Sequence, residues 1–331
     1  MLALAPSLDA KPARTAHGAS GRSPNDPRAL LRKMLAAETK IAYAGSEVTQ
    51  LAEGPQSEQK VKCDPRLGLR RESVRPLGDL FVDDLRHSWF VSKRRGRMYE
   101  RASRRAERGR AIQSALRRIE RGELPVHYDG RDVVAGRETH IVRLGRADGG
   151  RGPARRFWID AQTGLRLKTE EIGPQGRVLS SSYFLKIDLH PRLSRADFQR
   201  PATPPGVRFE RRIRESFRTI REAQAHMPFA LRAPKYLPRG YTLREVYVTR
   251  FGEHRVAAQR YTNGLSTITL FQTNAANAEM PGRKQRPPRA GSDPMPRRAP
   301  QVRTWRAGSL AFTLIGDLPE AEMARIAASV R

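Results

Sequence analysis

Apolar residues recur at helical spacing near the start of the chain and then alternate with polar ones. Asp26 followed by Pro27 predicts a helix N-terminus, and Leu30, Leu31, Met34 and Leu35 form an apolar stripe after it. Short alternating or aromatic segments bounded by Gly, Pro and Asp then predict strands at 41–51, 60–63, 67–74, 79–82, 88–91 and 97–100. This order predicts a helix followed by a meandering antiparallel sheet.

Residues 101–121 interrupt the strands with a basic amphipathic segment. Its apolar row is Ile112, Leu116 and Ile119, spaced for one face of a helix, under a dense coat of arginine. Strands resume at 132–144, 155–160, 165–172 and 178–188, and Gly164 after Asp160 predicts a tight turn with positive φ. The helix is either an ordinary surface helix or a lid over a curved sheet.

The second half begins after a stretch rich in proline. Pro201, Pro204 and Pro205 predict a stiff connector at 198–215, which separates a domain at 26–197 from one at 216–331. The second domain is predicted to contain a helix at 216–225, strands at 241–250, 256–262, 265–273, 301–306 and 310–315, and a final helix after Asp317. Asn263-Gly264 predicts a hairpin. Residues 1–25 and 274–300 are too poor in apolar residues to order and are predicted to be disordered.

The charge of the chain is strongly positive and comes mainly from arginine. The net charge is +29, and only ten of the 63 basic residues are lysine. Such a field attracts anionic partners, but the arginines are spread along the whole chain, which favours an ordinary arginine-rich solvated surface. Because no nucleic-acid-binding motif accompanies the arginines, the sequence disfavours a nucleic-acid partner.

The cysteine content, the N-terminus and the absence of catalytic motifs bear on the cellular compartment and the chemistry of the protein. The single cysteine, Cys63, forbids an intrachain disulfide, and no stretch reaches the length of a membrane span. Residues 1–5 resemble the end of a signal peptide, which suggests a start upstream of Met1. The seven scattered histidines show no metal-ligand spacing, and no catalytic motif or cofactor fingerprint occurs. We therefore expect a binding protein with no metal, no cofactor and no enzymatic activity.

Several motifs together resemble a known family. They are Ala-Tyr-Ala-Gly-Ser within 30–46, Val82-Asp83-Asp84, Met98-Tyr99-Glu100, the Phe-Trp-Ile-Asp-Ala-Gln-Thr-Gly-Leu segment from Phe157, Pro-Lys-Tyr-Leu-Pro-Arg-Gly-Tyr from Pro234, and Tyr-Thr-Asn-Gly-Leu-Ser from Tyr261. The chain is similar to MucB/RseB-type sigma-E regulators, whose first domain is related to the LolA lipoprotein carriers. The resemblance implies an α+β protein: an antiparallel open β half-barrel with lid helices around a hydrophobic cavity, followed by a smaller α+β domain.

The same resemblance implies a function. Members bind the extracytoplasmic domain of an anti-sigma factor in the periplasm and respond to envelope stress. A carrier of lipid or lipoprotein acyl chains is the alternative, and peripheral membrane contact is left open. The expected cavity or lid residues are Tyr43, Trp89, Ile112, Leu116, Ile119 and Trp158. Arg104, Arg105, Arg108, Arg117 and Arg118 are expected to meet an anionic partner.

Overall fold

The structure is a computed structural model in which the strands form two sheets. It describes residues 25–52, 56–105, 113, 116–145, 154–173, 176–211, 214–251, 254–263, 266–277, 301–316 and 318–330. The predicted N-terminal lead, Ile112, Arg108 and most of the 274–300 segment therefore lie outside the described residues. No helix in the described ranges is long and apolar enough to span a bilayer.

The first sheet has twelve strands and is not closed. Its order is β12-β6-β5-β4-β3-β2-β1-β11-β10-β9-β8-β7, so β12 and β7 are its edges. The pairs are antiparallel except for the parallel pair of β12 with β6. The strands are β1 (Tyr43–Leu51), β2 (Ser57–Asp64), β3 (Gly68–Arg75), β4 (Asp79–Asp83), β5 (His87–Ser92), β6 (Arg97–Ala102), β7 (Val126–Val134), β8 (Arg137–Leu144), β9 (Ala154–Asp160), β10 (Arg166–Ile172), β11 (Val178–Asp188) and β12 (Arg208–Arg211).

Helix α1 (Pro27–Glu38) packs against one face of this sheet near the β7 edge. Asp26 caps it by accepting a hydrogen bond from the Arg28 backbone N–H at 3.0 Å, with proline at the first helical position as predicted. Its buried Leu30, Leu31 and Met34 pack with Val142 and Leu144 of β8 and with Phe157 and Ile159 of β9. The helix N-terminus and the apolar stripe predicted from the sequence are confirmed.

The second sheet has six strands and its own core. Its order is β13-β14-β15-β16-β18-β17, all antiparallel. The strands are β13 (Arg214–Phe217), β14 (Thr242–Phe251), β15 (His254–Thr262), β16 (Thr267–Asn274), β17 (Gln301–Ala307) and β18 (Leu310–Gly316). Helices α2 (Ile220–Gln224) and α3 (Glu320–Ala328) pack against it through Ala223, Met323 and Ile326. An α+β fold with an open antiparallel sheet is confirmed.

Three local predictions differ from the structure. The strand expected at 132–144 is a hairpin, with Ala135 and Gly136 both at positive φ between β7 and β8. The connector expected at 198–215 contains a strand of each sheet, β12 and β13, and Phe198 in it is buried. The helix expected at 216–225 is shortened to α2 because β13 extends to Phe217. In each case pairing with a neighbouring strand decides the outcome.

Candidate functional site

Tyr43 and Trp89, two of the predicted cavity residues, lie on opposite faces of the first sheet. The pairing places Tyr43 beside Cys63, Cys63 beside Leu69, Leu69 beside Asp83 and Asp83 beside Ser88. Paired residues share a face, and successive residues in a strand point to opposite faces. Because Trp89 follows Ser88, its indole points away from the face that carries Tyr43.

Tyr43 sits in an apolar environment. Its ring meets the edge of Phe184 at 5.6 Å between ring centroids, within the cluster that includes Val61 and Leu167. Burial raises the pKa of Tyr43 well above its usual range, and the nearby Cys63 thiol adds a smaller increase. Its hydroxyl is therefore a neutral hydrogen-bonding group at any physiological pH.

Trp89 is held by a carboxylate. Its Nε1–H donates to Glu100 Oε2 at 2.9 Å, and Arg211 of β12 donates to Glu100 Oε1 at 2.8 Å. The bond from Trp89, more than the one from Arg211, lowers the pKa of Glu100. Trp89 packs with Val82, Val91 and Met98 and is 5% exposed. It therefore forms part of a packed cluster that also anchors the edge strand β12.

Trp158 also points away from α1. Its neighbour Phe157 packs with α1, so Trp158 lies on the other face of β9. Its Nε1–H donates to Asp132 Oδ2 at 2.8 Å, and Lys168 Nζ lies 4.0 Å from the ring centroid. The indole is 4% exposed. Trp158 nevertheless belongs to the same apolar cluster as Tyr43, whereas Trp89 belongs to a separate one, so the three are not brought together around one cavity.

The predicted lid segment is helical at 116–120, and it packs on α1. Ile119 is buried with Leu30 and Leu31, whereas Leu116 is only half-buried. Ile112 lies outside the described residues. Of the six predicted cavity residues, Ile119 is therefore the one that contacts the α1 cluster, and a role in ligand contact stays a prediction for all six.

The predicted basic contacts divide by position. Arg104 stacks over Tyr247 of β14 with 5.1 Å from its guanidinium carbon to the ring centroid, and Arg118 donates to the carbonyl of Asn263 after β15. Arg117 is exposed, Arg105 is half-buried, and Arg108 lies outside the described residues. Two of the predicted partner contacts thus join the two sheets, which leaves Arg117 as the most accessible of those described.

The contact between the sheets includes a polar cluster that sequence reasoning missed. Tyr247 donates to Glu245 Oε1, and Arg260 Nη1 lies 3.2 Å from both Glu245 Oε1 and Tyr247 Oη. Glu245 and Tyr247 are buried, with Arg104 over the Tyr247 ring. The alternation of residues 241–250 predicted the strand, but no local pattern signals a cluster that needs side chains from two strands and a distant segment.

Asp160 organises the turn between β9 and β10 beneath α1. It accepts hydrogen bonds from Arg137 Nε at 2.7 Å and Nη2 at 3.2 Å, and from the Thr163 backbone N–H and hydroxyl at 2.7 Å each. Burial by itself would raise the pKa of Asp160, but these bonds outweigh it and lower the pKa. Lys33 of α1 donates to the Ala161 carbonyl at 2.6 Å, so this turn fixes the helix to the sheet.

Two clefts open on the described surface of the first sheet. One, of about 510 Å³, lies beside this turn and is lined by Lys40, Arg137, Gln162 and His190 among others. The other, of about 380 Å³, is lined by Val48, Gln56, Glu58, Arg75 and Leu185. Neither cleft contains a predicted cavity residue, and both have walls of mixed polar and apolar residues.

Comparisons with known proteins identify the fold. Residues 98–202 match the MucB/RseB N-terminal domain family. The MucA/MucB complex of Pseudomonas aeruginosa contains a chain of the same fold, with a TM-score of 0.61, 17% identity, and 92% of this chain and 98% of that chain covered. A structure of MucB with MucA(peri) gives a TM-score of 0.57 at 17% identity, and MucB alone gives 0.55 at 18%, with the same coverage.

A search among curated protein sequences found no match. The resemblance inferred from the sequence motifs is nevertheless confirmed: residues 98–202 match the MucB/RseB N-terminal domain, and the chain has the fold of MucB across both of its sheets.

Proposed function

We propose that this chain is an extracytoplasmic regulator that binds the periplasmic segment of an anti-sigma factor and thereby controls an envelope-stress response. One observation carries the proposal: the chain aligns over 92% of its length with MucB in structures that also contain MucA. Because the alignment covers 92% of this chain and 98% of the MucB chain, the similarity in fold extends over both sheets. The proposed role is binding, without catalysis.

Charge supports an electrostatic contribution to this binding. A net charge of +29 attracts an acidic segment and speeds its encounter with the chain. Arg117 is exposed on the helical segment that contacts both α1 and the second sheet, so it is the basic residue we assign to partner contact. Arg104 and Arg118 contribute indirectly, since they hold the two sheets together.

The test is a binding measurement with the extracytoplasmic segment of an anti-sigma factor from the same genome. That segment is immobilised, and binding of the full chain is measured at low and at physiological salt. We expect binding at both, because an interface of specific shape survives screening that removes diffuse attraction. The periplasmic segment of an unrelated anti-sigma factor with matched charge is the control. Equal binding to both segments, or none to either, contradicts the proposal.

The alternative of a lipid or lipoprotein carrier requires an apolar chamber. Of the three aromatic residues expected to line it, Trp89 is packed in a different cluster from Tyr43 and Trp158, which favours the regulator over the carrier. Lipid extraction and mass spectrometry of purified chain separate the two, because a carrier retains acyl-bearing ligands through purification.

A further inference from the structure

Two turns lie side by side at one end of the first sheet. Residues 76–78 join β3 to β4, and a 3-10 turn at Lys93–Arg95 followed by Gly96 joins β5 to β6. The Lys93 backbone N–H donates to the Gly78 carbonyl at 3.1 Å, which ties the two turns together. Strand β12 starts at the same place, where the Arg208 N–H donates to the Gly96 carbonyl at 2.9 Å.

These turns combine one prominent apolar side chain with a group of cations. Leu77 is 80% exposed, more than any other large apolar residue in the described ranges. The exposed cations around it come from the same turns and the adjacent strand ends. We call this set the turn patch: Arg75, Leu77, Lys93, Arg94, Arg95 and Arg97.

The positive charge of the turn patch is only partly balanced. Arg75 lies 3.7 Å from Glu58, and Arg97 lies 3.8 Å from Glu210. Lys93, Arg94 and Arg95 have no ion pair with any carboxylate in the described part of the chain. Several arginines elsewhere on this sheet are paired across strands, as Arg143 is with Asp129 at 2.8 Å. Three consecutive cations without a carboxylate therefore distinguish this end of the sheet.

The turn patch lies away from the second sheet. Strand β6 starts at the patch with Arg97 and ends at Ala102, and Arg104, which stacks on Tyr247 of the second sheet, follows that far end. The patch is therefore accessible while the contacts between the two sheets are intact.

We propose that the turn patch is a docking surface for an anionic phospholipid bilayer. A leucine at the tip of a turn can enter the boundary between headgroups and acyl chains while adjacent cations meet the phosphates. Leu77 is 80% exposed at the tip of its turn, beside exposed cations of the adjacent turn. A bilayer takes up an apolar side chain and positive charge together, whereas an acidic peptide needs only the charge, so the patch fits an anionic bilayer better. Bilayer docking would place the chain beside a membrane, independently of which protein it binds.

The experiment is flotation of the full chain with vesicles at physiological salt. Vesicles of phosphatidylglycerol and phosphatidylethanolamine are compared with vesicles of phosphatidylcholine. We expect binding only to the anionic vesicles. Each basic residue near an anionic surface contributes roughly fivefold to partitioning, so Lys93→Ala, Arg94→Ala and Arg95→Ala combined are expected to weaken binding by about a hundredfold. Leu77→Ser is expected to weaken it by about tenfold.

Each variant has a matched control. Arg192→Ala, Arg221→Ala and Arg239→Ala together remove the same charge from three exposed, scattered positions, and this triple variant is expected to stay within a few-fold of the wild type. Val133→Ser removes an apolar side chain that is 61% exposed on β7, at the other edge of the sheet, and this variant is expected to bind vesicles normally. Circular dichroism confirms that all variants are folded.

Two results would overturn the proposal. Equal losses in the two triple variants would mean diffuse attraction by the whole chain. A loss in the Lys93 triple variant without any loss in Leu77→Ser, together with equal binding to soluble polyglutamate, would identify a surface for an acidic protein. Neither result bears on the anti-sigma measurement, which uses no lipid.

Discussion

Replacing Asp160 with alanine tests whether the β9–β10 turn depends on one buried carboxylate. The side chain is 1% exposed and accepts four hydrogen bonds, two from Arg137 and two from Thr163. The substitution leaves the guanidinium of Arg137 without its carboxylate and both Thr163 donors without their acceptor. It also loosens the turn that receives Lys33 of α1.

The expected loss follows from the burial of each partner. Removing one member of a buried ion pair costs about 3–5 kcal/mol, because the other charge remains buried and unpaired. The Arg137 side chain is 26% exposed and can regain water, which lowers this cost, while the lost Thr163 bonds contribute roughly 1 kcal/mol each. We therefore expect Asp160→Ala to lower the free energy of unfolding by about 3 kcal/mol.

Urea unfolding measured by circular dichroism and tryptophan fluorescence gives this quantity, and Arg137→Ala completes a double-mutant cycle. The pKa of Asp160 is lowered in the folded chain, so its contribution is present above the ordinary value of 3.8 and is lost as the pH falls through the folded pKa. The difference between wild type and variant should therefore shrink in acid. A loss below about 1 kcal/mol at neutral pH would refute this account of the turn.

Three further predictions concern the same sheet. Gly164 and Gly176 have nearly the same φ, +80° and +78°, but a Cβ at Gly164 would lie 2.6 Å from a side-chain carbon of Lys33 in α1, whereas a Cβ at Gly176 would meet open space. Gly164→Ala should therefore lower the melting temperature more than Gly176→Ala. Burial raises the pKa of Asp83, so its carboxyl binds a proton more tightly in the folded chain than in the unfolded one. The free energy of unfolding should therefore fall as the pH rises above 3.8. Asp83→Asn should remove this pH dependence from the midpoints of urea unfolding. Trp89→Phe loses the bond to Glu100 and should cost about 1–2 kcal/mol in urea unfolding; no change would contradict the role of that bond.

Local signals in the sequence account for much of the fold. Asp26-Pro27 marks the start of α1, and Asn263 lies in the connection between Thr262 and Thr267, which pair as the hairpin signal predicts. These elements depend on residues close in sequence. Strand β12, Arg-Phe-Glu-Arg, has no such signal, because its pairing with β6 is set by contacts across more than a hundred residues.

The candidate site was harder to predict than the fold. The sequence predicted Trp89 and Trp158 to be cavity or lid residues; both are buried in packed clusters, and their contact with a ligand stays a prediction. It could not assign the face of the sheet on which each lies, since a shift of one residue in pairing reverses every side chain of a strand. The register shift between Ser46 and Glu47 in β1 is one place where counting residues along the chain is insufficient.

Strands β12 and β13 also determine how this chain can be divided into two soluble pieces. The first sheet needs residues up to Arg211, and the second needs residues from Arg214. A first piece that ended at the proline-rich segment would lack β12, so the backbone of β6 would be exposed at the edge of the sheet. Exposed edge strands can pair between molecules and cause aggregation. A piece that ends between Arg211 and Arg214 keeps β12 paired with β6 and leaves β13 with the second sheet.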